Sequence, residues 1–237
     1  MPRRVRYLSA LRGATLMQRT PEGPSHAAGL YGAKTIRLLA RLQTTTDPHR
    51  RKLLGTLVSR FGLNEFRAGY GGTAPLVSKF EDPWTHTQLP IELAGFGSQQ
   101  ALPVIADIVD GGREATVLIE EVEHSSHPKW VKKWGLTLAE AVKEGVQIIG
   151  TTHAPDLALA SALAVKQGII KADDLMVYEF RRVDRGLDIL PRQVDAQGRF
   201  KNGWLQTFAE AEAQIMRELL DGGDAPVQRP VRSRRSR

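Results

Sequence analysis

Apolar and other residues alternate over 5–11, from Val5 through Tyr7 and Leu8 to Leu11, and this pattern predicts a strand that ends at Arg12-Gly13. The next stretch, to about residue 32, is rich in Gly, Pro, Ser and Thr and reads as loop. Helical apolar spacing then covers 36–42 and, after the Thr-Thr-Thr-Asp-Pro break at 44–48, 49–61. Tyr70-Gly71-Gly72-Thr73 is a turn signal, and 76–80 and 88–93 read as short strands. Ser98 is placed to cap a helix running to Val109, with Pro103 near its first turns and Asp110-Gly111-Gly112-Arg113 stopping it. Thr116-Val117-Leu118-Ile119 is a short apolar run of the kind that forms strands buried on both faces. A helix over 129–143, interrupted at Gly135 and ended by Gly145, leads to a second such strand over 146–150. Pro155 opens a further helix to about Gln167. Two buried strands joined by a helix make a parallel βαβ unit. Downstream, 175–183 and 187–194 flank Asp184-Arg185-Gly186 as a β-hairpin, and 207–220 is an amphipathic helix ahead of Gly222-Gly223. No internal repeat is present. The expected fold class is α/β, with a parallel βαβ core and a C-terminal hairpin and helix.

Composition narrows the classes of function. The 237 residues are 41% hydrophobic and 25% charged, enough for a substantial core. No apolar run approaches the roughly 18–20 residues of a membrane span. Met1-Pro2-Arg3-Arg4 is basic but lacks the apolar stretch of a signal peptide, so a cytoplasmic location is expected. The absence of cysteine excludes disulfides, thiolate metal sites and cysteine nucleophiles. Of the net charge of +7, most comes from Arg229, Arg232, Arg234, Arg235 and Arg237. They lie in a Pro/Ser/Arg tail, 223–237, that reads as disordered. If all five touched phosphates, the salt slope on duplex DNA would be about −4.5. The other reading of that tail is simply solubilising.

The chemistry concentrates in the middle of the chain. Val117-Leu118-Ile119-Glu120-Glu121 places adjacent carboxylates at the end of an apolar strand. Open α/β sheets bind ligands at the carboxyl ends of their strands. In phosphoryl transfer the first acid, Glu120, would hold Mg²⁺ and the second, Glu121, would polarise the attacking water. The alternative is a charged loop after a strand. Val146-Gln147-Ile148-Ile149-Gly150-Thr151-Thr152-His153 ends the next strand in a histidine. Parallel neighbours lie about 4.8 Å apart, so His153 is expected near Glu121, where an imidazole could sense a γ-phosphate; a lone histidine there could equally be structural. Upstream, Gly95-Phe96-Gly97-Ser98-Gln99-Gln100 runs into a helix, whose N-terminal N–H groups suit an anion, or only a helix cap.

In order and spacing, "GFGSQQALPVI", "VLIEEVEHSSHP" and "QIIGTTHAPDLA" resemble the signature, Walker B and switch-histidine segments of OLD-like ATPases, in the ABC and chromosome-maintenance branch of the AAA-type P-loop NTPases. "YLSALRG", the Gly29 and Gly32 loop and "DAQGRFKNGWLQTF" extend the likeness over most of 5–220. The resemblance implies a partial P-loop NTPase domain of ABC type over 1–222, corresponding to the family's C-terminal half. It implies ATP and Mg²⁺ as cofactors, Glu120 as the Walker B metal acid, and Glu121 and His153 as catalytic residues. Gly97, Ser98 and Gln99 would contact the γ-phosphate of a nucleotide held by the opposing protomer of a dimer. Ser125 to His127 would occupy the D-loop region. Val122 stands where a proline is common, and Ser125-Ser126 replaces a more usual His-Leu.

A phosphate cradle is missing from this set. The nearest candidate, Gly29-Leu30-Tyr31-Gly32-Ala33-Lys34-Thr35, departs from Gly-x₄-Gly-Lys-[Ser/Thr]: Ala33 separates glycine from lysine and Ala27 sits where the first glycine belongs. The expected function is therefore ATP hydrolysis by a half-site that needs a Walker A-bearing partner subunit or N-terminal half. An apolar strand within a few residues of Met1 is also expected to leave a sheet edge open to pairing. The alternative is a catalytically inactive interaction or DNA-associated module derived from such an ATPase. A nuclease reading fails on Asp173, Asp174, Asp184 and Asp188, which form no Asp-x-Asp strand end.

Overall fold

A computed structural model of the chain describes residues 4–12, 28, 32, 34–70 and 76–220. The elements run β1 (Arg4–Leu8), α1 (Thr35–Gln43), α2 (Pro48–Arg60), β2 (Asn64–Tyr70), β3 (Leu76–Glu81) and β4 (Gln88–Pro90). They continue with α3 (Phe96–Gly111), β5 (Ala115–Ile119), α4 (Pro128–Lys143), β6 (Gln147–Gly150) and α5 (Pro155–Lys166). A hairpin, β7 (Val177–Val183) and β8 (Gly186–Arg192), and α6 (Gln206–Leu220) complete the order. The expected α/β class and the βαβ unit are present. The basic tail, and Gly29, Leu30, Tyr31 and Ala33 of the glycine loop, lie outside the described residues.

The central sheet is parallel, in the order β1-β5-β6, with Tyr7 opposite Leu118 and Leu118 opposite Ile149. Leu8, Val117 and Ile119 enter the main core; α3 packs against β1 and β5, and α4 against β6. The burial of β1 runs opposite to its apolar pattern. Val5 is 67% exposed, whereas Arg6 points inward. Helix α3 makes this tolerable by presenting two carboxylates: Arg6 donates to Asp107 at 3.1 Å and to Asp110 at 2.7 Å. Burial pushes the Asp107 carboxyl up to about 6, against the lowering effects of the Ala28 N–H and Arg6. The second strand of the βαβ unit is also less buried than its sequence implies. Ile149 is 56% exposed, and the buried apolar residue here is Val146, just before β6. Parallel sheets normally have both faces covered, and here the face carrying Val5, Tyr7 and Ile149 is the exposed one.

Three local readings need correction. Ser98 does not cap α3: Gly95 is the N-cap, and the Ser98 hydroxyl donates to the Phe61 carbonyl at 2.9 Å. Gly135 does not interrupt α4. A Cβ there would lie 2.4 Å from the Ala160 Cβ and 2.8 Å from the Ala160 carbonyl carbon, so the glycine lets α4 and α5 approach closely. Strand β2 was not expected, because it carries Asn64, Glu65, Arg67 and Gly69 and contains a register shift with Glu65 at φ 44°. It forms an antiparallel sheet with β3 and β4, and the Gln43 side chain binds along it, donating to the Phe66 carbonyl at 2.6 Å and accepting the Ala68 N–H at 2.7 Å.

Candidate functional site

The ends of the three parallel strands stay connected beyond the regular sheet. Glu120 N–H donates to the Leu8 carbonyl at 3.0 Å, Thr151 N–H to the Ile119 carbonyl at 3.0 Å, and Val122 N–H to the Thr151 carbonyl at 3.1 Å. Between these bonds the chain turns sharply, with Glu121 at φ 43°. A non-glycine residue in that region costs on the order of 1–3 kcal/mol and persists only where its surroundings enforce it. Arg12 supplies the enforcement. Its wholly buried guanidinium donates to the carbonyls of Glu120 at 2.6 Å, Glu121 at 3.1 Å and Val122 at 2.7 Å, and to Ser9 at 3.3 Å. Burial lowers the Arg12 pKa to about 10, with Glu123 and Glu121 opposing the shift, so it remains charged at neutral pH. Thr151 Oγ1 accepts the Glu121 N–H at 3.0 Å and fixes the turn from β6.

This scaffold aims three acidic side chains. The Glu120 carboxylate accepts the Tyr7 hydroxyl and, at 3.4 Å, the Ala10 N–H. Those donors, Tyr7 foremost, hold Glu120 below the usual carboxylate range. Glu121 extends beside two imidazoles: Oε2 lies 3.0 Å from His124 Nδ1 and Oε1 lies 3.9 Å from His153 Nε2. The His153 side chain is 85% exposed, so the pair faces solvent at the sheet edge. Glu123 turns towards the loop after β6, where its carboxylate accepts the Thr152 hydroxyl and the N–H groups of His153 and Ala154.

Glu121 and His153 lie side by side at the sheet edge, as expected, while Glu120, next to them in the chain, turns its carboxylate towards β1. Tyr7, Arg12, Glu123 and His124 around them were not foreseen. The signature segment is placed differently. Ser98 and Gln99 are buried, and the Gln99 amide donates to the Ala94 carbonyl at 2.9 Å, so both side chains serve the start of α3. Gly97 touches the loop that follows the acids: a Cβ on it would come within 2.8 Å of the Ser125 carbonyl oxygen. In the D-loop region Ser125 has φ 58°, Ser126 Oγ accepts the Trp134 indole N–H at 2.9 Å, and His127 caps α4 through the Lys129 N–H.

The chemistry of Glu120, a carboxylate held below its usual pKa, fits an oxygen ligand for Mg²⁺, which is usually held by one or two carboxylates plus phosphates and water rather than by an all-protein cage. No cluster of three metal-ligating side chains occurs among the described residues. None of the helices among the described residues is long and apolar enough to cross a membrane.

The fold is a parallel α/β sheet with carboxylates and a histidine at adjacent strand ends. Residues 35–160 match the family model "AAA domain, putative AbiEii toxin, Type IV TA system", and the chain belongs to that family. It is thereby a P-loop NTPase-superfamily protein of nucleotide-binding, ATPase-like character. No curated protein matches the sequence. Among solved structures, one similar chain comes from work on ATP-driven dimerization and DNA-stimulated activation of SMC ATPases. It is 10% identical with a TM-score of 0.43, over 77% of this chain and 94% of that one.

Proposed function

We propose that the chain is an ATPase half-site of the ABC and OLD-like type, supplying the acids and switch histidine for ATP hydrolysis. The observation that carries this reading is the convergence of Glu120, Glu121 and His153 on adjacent strand ends, with Glu121 held in its turn by Arg12. Glu121 accepts the proton of the attacking water, its carboxylate oriented by His124 on one oxygen. His153 lies beside the other oxygen and donates from Nε2 to the water or to the γ-phosphate. Glu120, kept ionised by Tyr7 and Ala10, is the residue that would hold Mg²⁺. When bound, the ion neutralises phosphate charge.

Gly97, Ser98 and Gln99 fit a role towards a nucleotide held by an opposing protomer. With the Ser98 and Gln99 side chains committed inward and their N–H groups donating to the Gly95 carbonyl, that role falls to the first N–H groups of α3, those of Phe96 and Gly97. Residues 1–237 contain no Gly-x₄-Gly-Lys-[Ser/Thr], so the phosphate cradle comes from another segment or subunit. A dimeric, cytoplasmic assembly belongs to the same reading. Phosphate release from Mg²⁺-ATP, with and without a Walker A-bearing polypeptide, tests it. Turnover is expected only in the mixture; turnover by the chain alone would remove the need for a partner. The arginines of 223–237 are a separate proposal for non-specific nucleic-acid contact, and a DNA affinity independent of salt would refute it.

A further inference from the structure

We infer that Glu123 is a positioning residue that latches the switch-histidine loop to the Walker B loop, an assignment that rests on the ATPase reading above. Three donors from the β6–α5 connection converge on its carboxylate. The Thr152 hydroxyl reaches Oε2 at 2.7 Å, and the N–H groups of His153 and Ala154 reach Oε1 at 2.8 and 3.2 Å. The Ala154 N–H also donates to Thr152 Oγ1 at 3.0 Å, and that hydroxyl is itself held by Glu123, so the carboxylate organises all three groups. Ala154, the N-cap of α5, offers no side-chain cap, and Glu123 accepts the N-cap N–H itself and places a negative charge at that helix N-terminus. Charge-assisted bonds of this kind are roughly twice as strong as neutral ones.

The other end of the latch is equally fixed. Arg12 clamps the carbonyls of the three residues before Glu123, and Val122 packs so tightly on β6 that a Cβ at Gly150 would lie 2.8 Å from its Cγ2. The His153 imidazole itself is exposed and makes no contact closer than 3.9 Å to Glu121. Its position is therefore set by its backbone, and its backbone is set by Glu123. Movement of the acidic loop reaches the His153 backbone directly through this carboxylate, in addition to the bonds that Glu121 and Val122 make to Thr151 two residues earlier.

Amide hydrogen exchange of the full chain, read residue by residue by NMR, tests the latch without any nucleotide. Glu123→Ala is expected to speed exchange at His153 and Ala154 at least tenfold. Glu123→Gln, whose carbonyl oxygen can still accept both N–H groups, is expected to restore most of the protection. Unchanged protection at both amides in Glu123→Ala overturns the proposal. Should that variant fail to fold, Thr152→Val removes one donor to the carboxylate, and unaltered exchange at His153, whose N–H bonds Glu123 and not Thr152, is then the overturning result. In the reconstituted ATPase, Glu123→Ala is expected to lower kcat by about 100-fold, the cost of a misplacement near 1 Å, with KM for ATP unchanged. A rise in KM with kcat preserved also overturns the positioning role. Absence of turnover in the unsubstituted assembly would count against the ATPase reading alone, because the exchange measurement stands apart from it.

Discussion

Replacing Arg12 with methionine removes the donor set beneath the strained turn and keeps an apolar side chain in its place. In the native protein the guanidinium makes three bonds of 2.6–3.1 Å to successive carbonyls and a fourth, longer one to Ser9. Without it, up to three carbonyls lose their charged partner while Glu121 keeps a backbone conformation it does not favour. A buried polar group left unpaired costs about 1–3 kcal/mol, and partial relaxation towards water lowers the sum. The expected loss is about 3–5 kcal/mol, comparable to breaking a buried ionic contact. Set against a domain stability of about 5–15 kcal/mol, that is large. Urea unfolding reads it directly: with an m-value of about 2–3 kcal/mol/M, the midpoint should fall by roughly 1–2 M at unchanged m. Arg12→Lys keeps the charge but spreads fewer donors over the carbonyls, and should lie between the two. A midpoint shift below about 0.3 M for Arg12→Met would refute the role given to this side chain.

Other substitutions test the scaffold and the acids separately. The Asp107 carboxyl, raised to about 6 mainly by burial, binds its proton more tightly folded than unfolded. Its contribution to stability is therefore full below about pH 4 and lost as pH rises through about 6, a swing of about 3 kcal/mol at 1.36 kcal/mol per unit. Asp107→Asn keeps an acceptor for Arg6 and Ala28 and should flatten urea midpoints across that window; an unchanged slope would contradict the shift. Gly135→Ala should destabilise by about 1–3 kcal/mol, because the new methyl meets the α5 backbone. Helix propensity alone would give a gain of up to about 1 kcal/mol, so the sign of the thermal shift decides between the two. Tyr7→Phe should raise the Glu120 pKa towards its ordinary value, seen by carboxyl ¹³C NMR titration, and an unmoved titration would exclude Tyr7 as the main cause.

Much of the helical framework and the pairing of Glu121 with His153 were legible in the sequence, because both follow from periodicity and from strands ending at one sheet edge. What escaped did so for physical reasons. Strand β2 hides its inward residues, Phe66 and Ala68, behind a bulge and polar neighbours, and Gln43 on a distant helix completes its hydrogen bonding. Arg6 lies on the buried side of β1, against the apolar alternation, because of Asp107 and Asp110, partners more than a hundred residues away in the chain. Ser98 resembles a helix cap locally, yet its hydroxyl is needed by Phe61. Arg12 and Glu123 look like loop charges, and only the convergence of carbonyls on one and of N–H groups on the other shows their part in the site.

The most direct test of the proposed chemistry is single-turnover hydrolysis of Mg²⁺-ATP by the chain joined to a Walker A-bearing polypeptide, comparing Glu121 with Glu121→Gln. Loss of the general base should slow hydrolysis by about 10²–10⁴-fold while ATP binding persists. Equal rates for the two proteins would contradict the placement of catalysis on Glu121 and, with it, the reading of the β5 and β6 strand ends as a hydrolytic site.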